Sequence, residues 1–441
     1  MSEHACVTVP SLNGNTAMLE ECANSRFQSG DYAGALQLLR SALALHVESG
    51  CTNDQARCQQ TVGYLCLLLR DYAEAERSYR QAITLREQLA DLRGAAAAWG
   101  RLAEVHQHVG DQPAALRAFE QSLAFLRRCG ALKDVGVVLN NMAVSFRETG
   151  KRDRAFQCHE RALEIRRDLD DHDGLAASLH NIGVLYADIG DLRRARAALE
   201  EAHQLREELG DVPGLASTRL RMGIVHEQEG EFAQALASYE HVIALGEQRH
   251  DCGEELAAAL CNLGGLFVGQ RDPSRALPLL ERAWALLKAD VETPKLAYVE
   301  FNIGLAWLGL GDAQRGLEAL ARARGIQERC GDDRHLSATL SAMAAVEIQR
   351  GRFCGADDLL QEALHIQRRL GEPEALHHTL RLAAHCKTKQ GQPEAAQRCL
   401  GEAQALALQV STQACAIDSA LADHRHRDGA AFSVDTRRSL Q

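Results

Sequence analysis

Six polar side chains recur along the chain at intervals of forty or forty-one residues. They are Arg101, Asn141, Asn181, Arg221, Asn262 and Asn302. An Asn amide offers a hydrogen-bond donor and an acceptor together, which suits one peptide unit of an extended ligand, and a guanidinium offers several donors. The column therefore predicts a surface that binds a peptide segment of a partner. Alternatively, these side chains tie adjacent helices together or are simply solvated.

Three acidic residues follow the column a few positions further along each segment. They are Glu148, Asp188 and Glu227. Carboxylates placed beside a polar column favour a partner with scattered Lys or Arg. The alternative is an acidic, solvated stripe that binds nothing.

Motifs that carry catalysis are absent from the sequence. It contains no P-loop, G-x-G-x-x-G, H-E-x-x-H or G-x-S-x-G pattern. The histidine pairs at 106–108, 377–378 and 424–426 lack partners at metal-ligand spacing. We therefore expect no enzymatic activity, no cofactor and no metal site.

Composition predicts a folded, helical, cytoplasmic protein. The 441 residues are 46% hydrophobic and 25% charged, with only 8 prolines. No apolar run reaches the roughly 18 residues of a membrane span, and the first ten residues do not resemble a signal peptide. The net charge of −11 would repel nucleic acid, so a protein partner is expected. The 14 cysteines form no C-x-x-C pair and are interpreted as buried, reduced thiols.

A turn marker recurs with the same period from one end of the chain to the other. The ten markers are Gly30, Arg70, Gly110, Gly150, Gly190, Gly230, Arg271, Gly311, Gly351 and Gly391. One interval, between Gly230 and Arg271, has an extra residue, which predicts an insertion near the junction of the sixth and seventh hairpins. We expect the irregularity near residue 270, where "GQRDPSRA" contains a proline. The positions seven before and five after every marker hold only Ala or Gly, which lets two helices pack closely. This period predicts a solenoid of ten helical hairpins.

The segments outside the hairpins receive separate predictions. Residues 1–11 are expected to be a flexible lead-in and residues 12–410 the ten hairpins. Residues 411–425 have the composition of a helix that could cap the tenth hairpin, and residues 426–441 are expected to be disordered.

The repeat unit resembles the tetratricopeptide repeat family. Gly183, Tyr186, Ala195 and Ala202 match four of that family's five hallmark positions, and residues 63, 75, 79 and 82 match four in another repeat. Segments such as "HNIGVLYADIG" are similar to the forty-residue repeats of Pins-type G-protein-signalling modulators and, more distantly, of kinesin light chain. The resemblance implies an all-α, right-handed superhelix that holds extended or helical peptides along its inner face. The carboxylate-clamp branch of the family needs lysines on the first helices, and the matching positions hold Ala97, Val137, Ala177 and Ser217, so a full clamp is not expected.

These observations predict a non-enzymatic adaptor or scaffold that binds a peptide or helical segment of a partner in its concave groove. One alternative is a structural component of a ciliary, motor or cytoskeletal assembly that docks through its convex face or edges. A second alternative is a regulator that senses a peptide. The oligomeric state is left open by the sequence.

Overall fold

The computed structural model describes residues 12–249, 252–288 and 293–407. Within these ranges the chain forms twenty α-helices and no β-strand. The all-α solenoid predicted from the sequence is therefore confirmed. The predicted lead-in at 1–11, the capping helix at 411–425 and the tail at 426–441 lie outside the described residues.

The chain divides into two compact units, Met1–Glu231 and Phe232–Gln441. Unit 1 contains five helical hairpins followed by one more helix. Its helices are α1 (Leu12–Gln28), α2 (Tyr32–Glu48), α3 (Thr52–Leu68), α4 (Tyr72–Gln88), α5 (Leu92–Val109), α6 (Gln112–Cys129), α7 (Leu132–Glu148), α8 (Arg152–Asp168), α9 (His172–Asp188), α10 (Leu192–Leu209) and α11 (Val212–Gln228). We call the odd-numbered helices first helices and the even-numbered helices second helices.

Unit 2 begins with a second helix and continues the same alternation. Its helices are α12 (Phe232–Gln248), α13 (Gly253–Gly269), α14 (Pro273–Leu287), α15 (Pro294–Gly309), α16 (Ala313–Cys330), α17 (Asp333–Gln349), α18 (Phe353–Leu370), α19 (Pro373–Lys389) and α20 (393–407). None of the described helices has both the length and the apolar character needed to cross a membrane.

All ten turn markers have positive φ angles, including Arg70 at 61° and Arg271 at 60°. At six of the ten markers the next residue is an aspartate whose side chain caps the following helix. Asp191, for example, accepts a hydrogen bond from the Arg194 N–H at 3.1 Å, and its own N–H donates to the Tyr186 carbonyl at 3.0 Å. These bonds satisfy backbone groups that both helix ends would otherwise leave unpaired.

The extra residue lies near the junction of the sixth and seventh hairpins, as the period predicts, but not near residue 270, so that part of the sequence prediction is wrong. Helix α12 begins 20 residues after α11, α13 begins 21 after α12, and α14 begins 20 after α13. The insertion therefore falls in the connection between α12 and α13. The turn at Arg271 is regular because Asp272 still caps the next helix, and Pro273 takes the first helical position, where no N–H is needed.

Close approach within a hairpin depends on the small-residue columns. A Cβ added to Gly183 would lie 2.8 Å from Leu199 Cγ and 3.3 Å from the Ala195 carbonyl oxygen. Leu199 is fully buried, as is the residue at the same position of most other second helices. The second helices thus supply one large core side chain for most repeats.

The expectation of buried thiols holds for only part of the cysteines. Burial raises the pKa of Cys58 to about 12 and that of Cys66 to about 11. Five others are exposed: Cys22, Cys51, Cys129, Cys330 and Cys354. None of the cysteines in the described ranges forms a disulfide.

The first helices line the inner side of each unit. In unit 1, α7 contacts α9 and α9 contacts α11, and in unit 2 the same holds from α13 to α19. Successive second helices approach one another much less closely. Since the closer-packed row of a curved stack lies on its concave side, the faces of the first helices form the candidate binding surface.

Candidate functional site

The predicted polar column is divided between the two units. Arg101 lies on α5, Asn141 on α7, Asn181 on α9 and Arg221 on α11, and we call these four residues the unit 1 column. Its two arginines are exposed and its two asparagines are half-buried. Because α7, α9 and α11 are in contact, three members of the column lie on adjacent helices.

The amides of Asn141 and Asn181 have no hydrogen-bond partner among the described residues. The neighbouring helices are joined instead by Gln107 on α5. Its Nε2 donates to Ser145 Oγ at 2.7 Å and to the backbone carbonyl of Asn141 at 3.4 Å. In unit 1 the asparagine amides are thus not the groups that tie adjacent first helices together.

Arg101 is held in place by two contacts. Its guanidinium carbon lies 5.7 Å from the ring centroid of Tyr64, within the range of a cation–π interaction. Its Nη1 donates to Glu104 Oε2 at 2.8 Å. The guanidinium remains exposed and keeps donors for a ligand.

The unit 2 members of the column differ from each other. Asn262 is half-buried on α13. Asn302 on α15 is only 4% exposed, and its Nδ2 donates to the Tyr298 carbonyl one turn earlier, at 3.1 Å. In this arrangement Asn302 does not offer its amide to a ligand, because the side chain is committed to its own helix.

Asp188 and Glu148, two of the predicted acidic residues, contact neighbouring polar side chains. Asp188 is exposed, and its Oδ2 lies 3.4 Å from Arg147 Nη1. Glu148 is exposed and accepts a hydrogen bond from Gln112. Glu227 is half-buried on α11. The acidic stripe is therefore less available to a basic partner than the sequence suggests.

Two further residues on this face were not identified from the sequence. Arg147 on α7 acts electrostatically on Arg221, and both arginines act on His180 on α9. Burial, together with Arg206, Arg221 and Arg147, lowers the pKa of His180 to about 3, so the imidazole is neutral. The protein around Arg221 and then Arg147 lower the pKa of Arg221, although its side chain still reaches solvent. Arg147 lies three residues before its turn marker and His180 lies ten before its own. Reading these two positions in every repeat would have placed both residues beside the column.

One group of side chains within the described ranges has the spacing of metal ligands. His226, Glu229 and Glu231 lie near the end of α11, with ligand atoms within 4.8 Å of one another. However, His226 Nδ1 lies 3.0 Å from Glu231, and the Arg196 guanidinium pairs with both carboxylates. The cluster is electrostatically satisfied without an ion.

Solved structures share this architecture at low sequence identity. The quorum sensor NprR of Bacillus thuringiensis, in its apo form, matches with 12% identity and a TM-score of 0.57, over 80% of this chain and 99% of that one. Aspartyl phosphate phosphatase F of Bacillus subtilis matches with 13% identity and a TM-score of 0.53, over 83% and 96%. Repeats of a putative kinesin light chain from Podospora anserina match with 19% identity and a TM-score of 0.37, over 44% and 95%. For NprR and the phosphatase, identities this low show a shared fold only.

The sequence itself carries the family assignment. No curated protein matches the chain significantly. The profile of the tetratricopeptide repeat family, in contrast, matches residues 15–88, 134–208 and 214–289, which is just over half of the chain. Together with the stacked helical hairpins, this match shows that the chain belongs to the tetratricopeptide repeat family.

Proposed function

We propose that this protein is a non-enzymatic adaptor that binds an extended or helical peptide segment of a partner along the unit 1 column. The supporting observation is the pair Asn141 and Asn181, whose amides share one register on adjacent helices and have no partner among the described residues. Tetratricopeptide repeats are in general a protein-interaction fold. Asn262 in unit 2 is proposed as a separate contact of the same kind.

The spacing of the column suits a peptide. Packed helices lie roughly 8–10 Å apart, and the intervening second helices widen the step between successive first helices. An extended ligand rises by ~3.3 Å per residue. Successive asparagines would therefore contact peptide units that lie three or more residues apart along the ligand. Each amide would donate to a peptide carbonyl and accept from a peptide N–H.

The two alternatives predicted from the sequence differ from this proposal either in the surface that binds the partner or in the effect of binding. Docking through the convex face would use the second helices instead of the unit 1 column. Peptide sensing would use the same column and add a change of shape, and the fold shared with a protein named as a quorum sensor is a precedent. We also propose a cytoplasmic location.

The test compares two matched double variants of the full chain. Asn141→Ala with Asn181→Ala removes two amides from the first helices, whereas Gln121→Ala with Gln157→Ala removes two exposed amides from the second helices α6 and α8. Peptides selected from a displayed proteome library with the wild-type protein are measured against each variant, after circular dichroism has shown that both fold.

The proposal expects the asparagine variant to lose at least about fivefold in affinity, since each net hydrogen bond contributes about 0.5–1.5 kcal/mol. The glutamine variant should bind like the wild type. If only the glutamine variant loses binding, the convex face is the docking surface and the proposal is wrong. A ligand-dependent change in the radius of gyration, measured by solution scattering, would favour the sensing alternative.

A further inference from the structure

A pocket of about 300 Å³ lies on the inner side of unit 1, between the first helices α1 and α3 and above the second helix α2. We call it the α1–α3 pocket. Leu39, Cys58 and Leu65 lie at its bottom and are each at most 7% exposed. Helices α1 and α3 approach each other less closely than α7 and α9 do, so a gap with an apolar floor remains between them.

Each of the two first helices contributes one aromatic ring to the pocket. Phe27 on α1 and Tyr64 on α3 have ring centroids 6.2 Å apart, with the planes tilted by 48°. Neither repeat position holds Phe or Tyr in any other first helix, so the pair is particular to this place in the chain. Tyr64 is 36% exposed, which leaves part of this aromatic surface accessible to a ligand.

The two charged side chains that line the pocket neutralise each other. Arg57 Nη2 donates to both carboxylate oxygens of Glu20, at 3.0 and 2.9 Å, and His46 Nε2 lies 2.9 Å from the same carboxylate. A charged ligand group would lose hydration in the pocket without finding a free counterion. An apolar group would instead gain free energy by leaving water.

The volume of the pocket restricts its occupant to about one side chain. One turn of an α-helix, about 10 Å across and about 5.4 Å long, occupies roughly 400 Å³. This is more than the pocket of about 300 Å³ can hold. A single large side chain fits, and the backbone that carries it stays outside.

The pocket is continuous with the unit 1 column. Thr61, which lines it, holds the column position of the second hairpin, forty residues before Arg101. The guanidinium of Arg101 in turn packs against the ring of Tyr64, at 5.7 Å from its centroid. A peptide that lies along the column and continues past Arg101 therefore reaches the pocket.

We propose that the α1–α3 pocket binds one large apolar side chain of the peptide ligand, a Leu, Met or Phe, as an anchor. This inference rests on the proposed function, since it names one residue of the peptide that lies along the unit 1 column. Thr61 and Asn141 are two repeats apart, and each step spans at least about 8–10 Å. At ~3.3 Å per residue, the anchor lies at least about five residues from the peptide unit that contacts Asn141.

The experiment selects random peptides by phage display against the full-length wild type, Asn24→Trp, Thr61→Trp and the control Ser25→Trp. Asn24 and Thr61 are exposed residues that line the pocket from opposite helices, so an indole at either position can cover it without changing its floor. Ser25 is exposed on α1 and does not line the pocket. The wild type and the control should enrich peptides with Leu, Met or Phe at one position, and the two covered variants should lose that preference. Circular dichroism checks that each variant folds.

Cross-linking then locates the anchor. A selected peptide is synthesised with photo-leucine, which carries a diazirine, at the apolar position, and is irradiated in complex with the wild type. Mass spectrometry should find the cross-link on residues that line the pocket, such as Phe27, Leu39 or Tyr64. Cross-links confined to other residues would overturn the inference.

A double-mutant cycle measures the contact. Changing the anchor to Ala should weaken wild-type binding by at least about tenfold and leave binding to the covered variants nearly unchanged. Selected peptides with a charged residue or no preference at every position, or an equal loss with all proteins, would overturn the pocket as the anchor site. Selected peptides that bind equally to the Asn141 and Asn181 double variant would instead overturn the proposed function, so the two failures are distinguishable.

Discussion

Replacing His159 by leucine should stabilise unit 1 and remove part of its sensitivity to acid. His159 on α8 is 2% exposed, and its Nδ1 has no hydrogen-bond partner among the described residues. It occupies the second-helix core position that holds Leu199 in the next repeat. Burial, and then Arg147 and Arg166, lower its pKa to about 4.

The magnitude follows from proton linkage. The unfolded chain binds a proton on this imidazole near a pKa of about 6.5, whereas the folded chain does not bind it until about pH 4. Stability therefore falls as the pH drops through this window, by about 2 kcal/mol at about pH 5 relative to neutral pH. At neutral pH, where no proton is bound, removing the unpaired Nδ1 should add about 1–3 kcal/mol.

Hydrogen exchange followed by mass spectrometry measures both effects locally, which suits a stack of repeats that need not unfold in one step. Peptides from α7 to α9 report on the change, and peptides from α17 to α19 serve as an internal reference. The variant His172→Gln changes an exposed histidine of the same region and should have no effect. If His159→Leu shows the same loss of protection between neutral pH and about pH 5 as the wild type, the explanation from a buried neutral imidazole is wrong.

Three further predictions concern unit 2 and the turns. Gln327 is fully buried with neither amide atom hydrogen-bonded to a described residue, so Gln327→Leu should raise the unfolding free energy by about 1–3 kcal/mol, seen as slower exchange in α16. Glu300 is 3% exposed and accepts hydrogen bonds from Arg322 at 3.0 and 2.9 Å and from the half-buried Trp284 N–H at 2.8 Å. Glu300→Ala should cost about 1–3 kcal/mol, because it leaves that N–H without an acceptor, whereas the exposed guanidinium of Arg322 is hydrated. Gly190→Ala should lower the unfolding free energy by about 1–2 kcal/mol, because φ is +81° at this turn. Its control, Gly401→Ala, lies in open space within α20 and should raise the unfolding free energy by up to about 1 kcal/mol. Equal melting temperatures of the two variants would contradict the argument from the turn.

The sequence predicts the fold well because its determinants are local. Each turn depends on a residue with positive φ at the marker and often on a carboxylate that caps the next helix. Both act only on backbone groups within a few residues. The period identifies Arg70 and Arg271 as turn residues although neither is glycine. The turns that join one hairpin to the next are less uniform in sequence, since glycines hold positive φ at residues 50, 130, 210, 331 and 371 but Ala90 and Asp170 do so too.

The candidate site is less predictable because the partner of a side chain lies a whole repeat away. Asn181 and Asn302 share a column, yet one amide has no partner among the described residues and the other bonds to its own helix. Asp188 belongs to the predicted acidic stripe, but its charge is taken up by Arg147, forty-one residues earlier. Residue type and register predict which face a side chain occupies. They do not determine whether a neighbour has already satisfied it.

A distinction between structural and functional polar columns follows from these contacts. Arg86, Arg166 and Arg206 hold the same position of three second helices, α4, α8 and α10. Each donates to a group at the start of the next first helix, namely the Asp91 carboxylate, the Gly174 carbonyl and the Gly214 carbonyl, so this column recurs together with its partners. Arg221 is also an arginine on a helix. Its column, however, holds arginine in some repeats and asparagine in others, and no hydrogen-bond partner recurs with it among the described residues. Repeats that touch only their neighbours can specify a fold by repetition. A recognition site must break that repetition, because a ligand presents different groups along its length. The polar positions that vary between repeats and lack an internal partner are therefore the ones to test first.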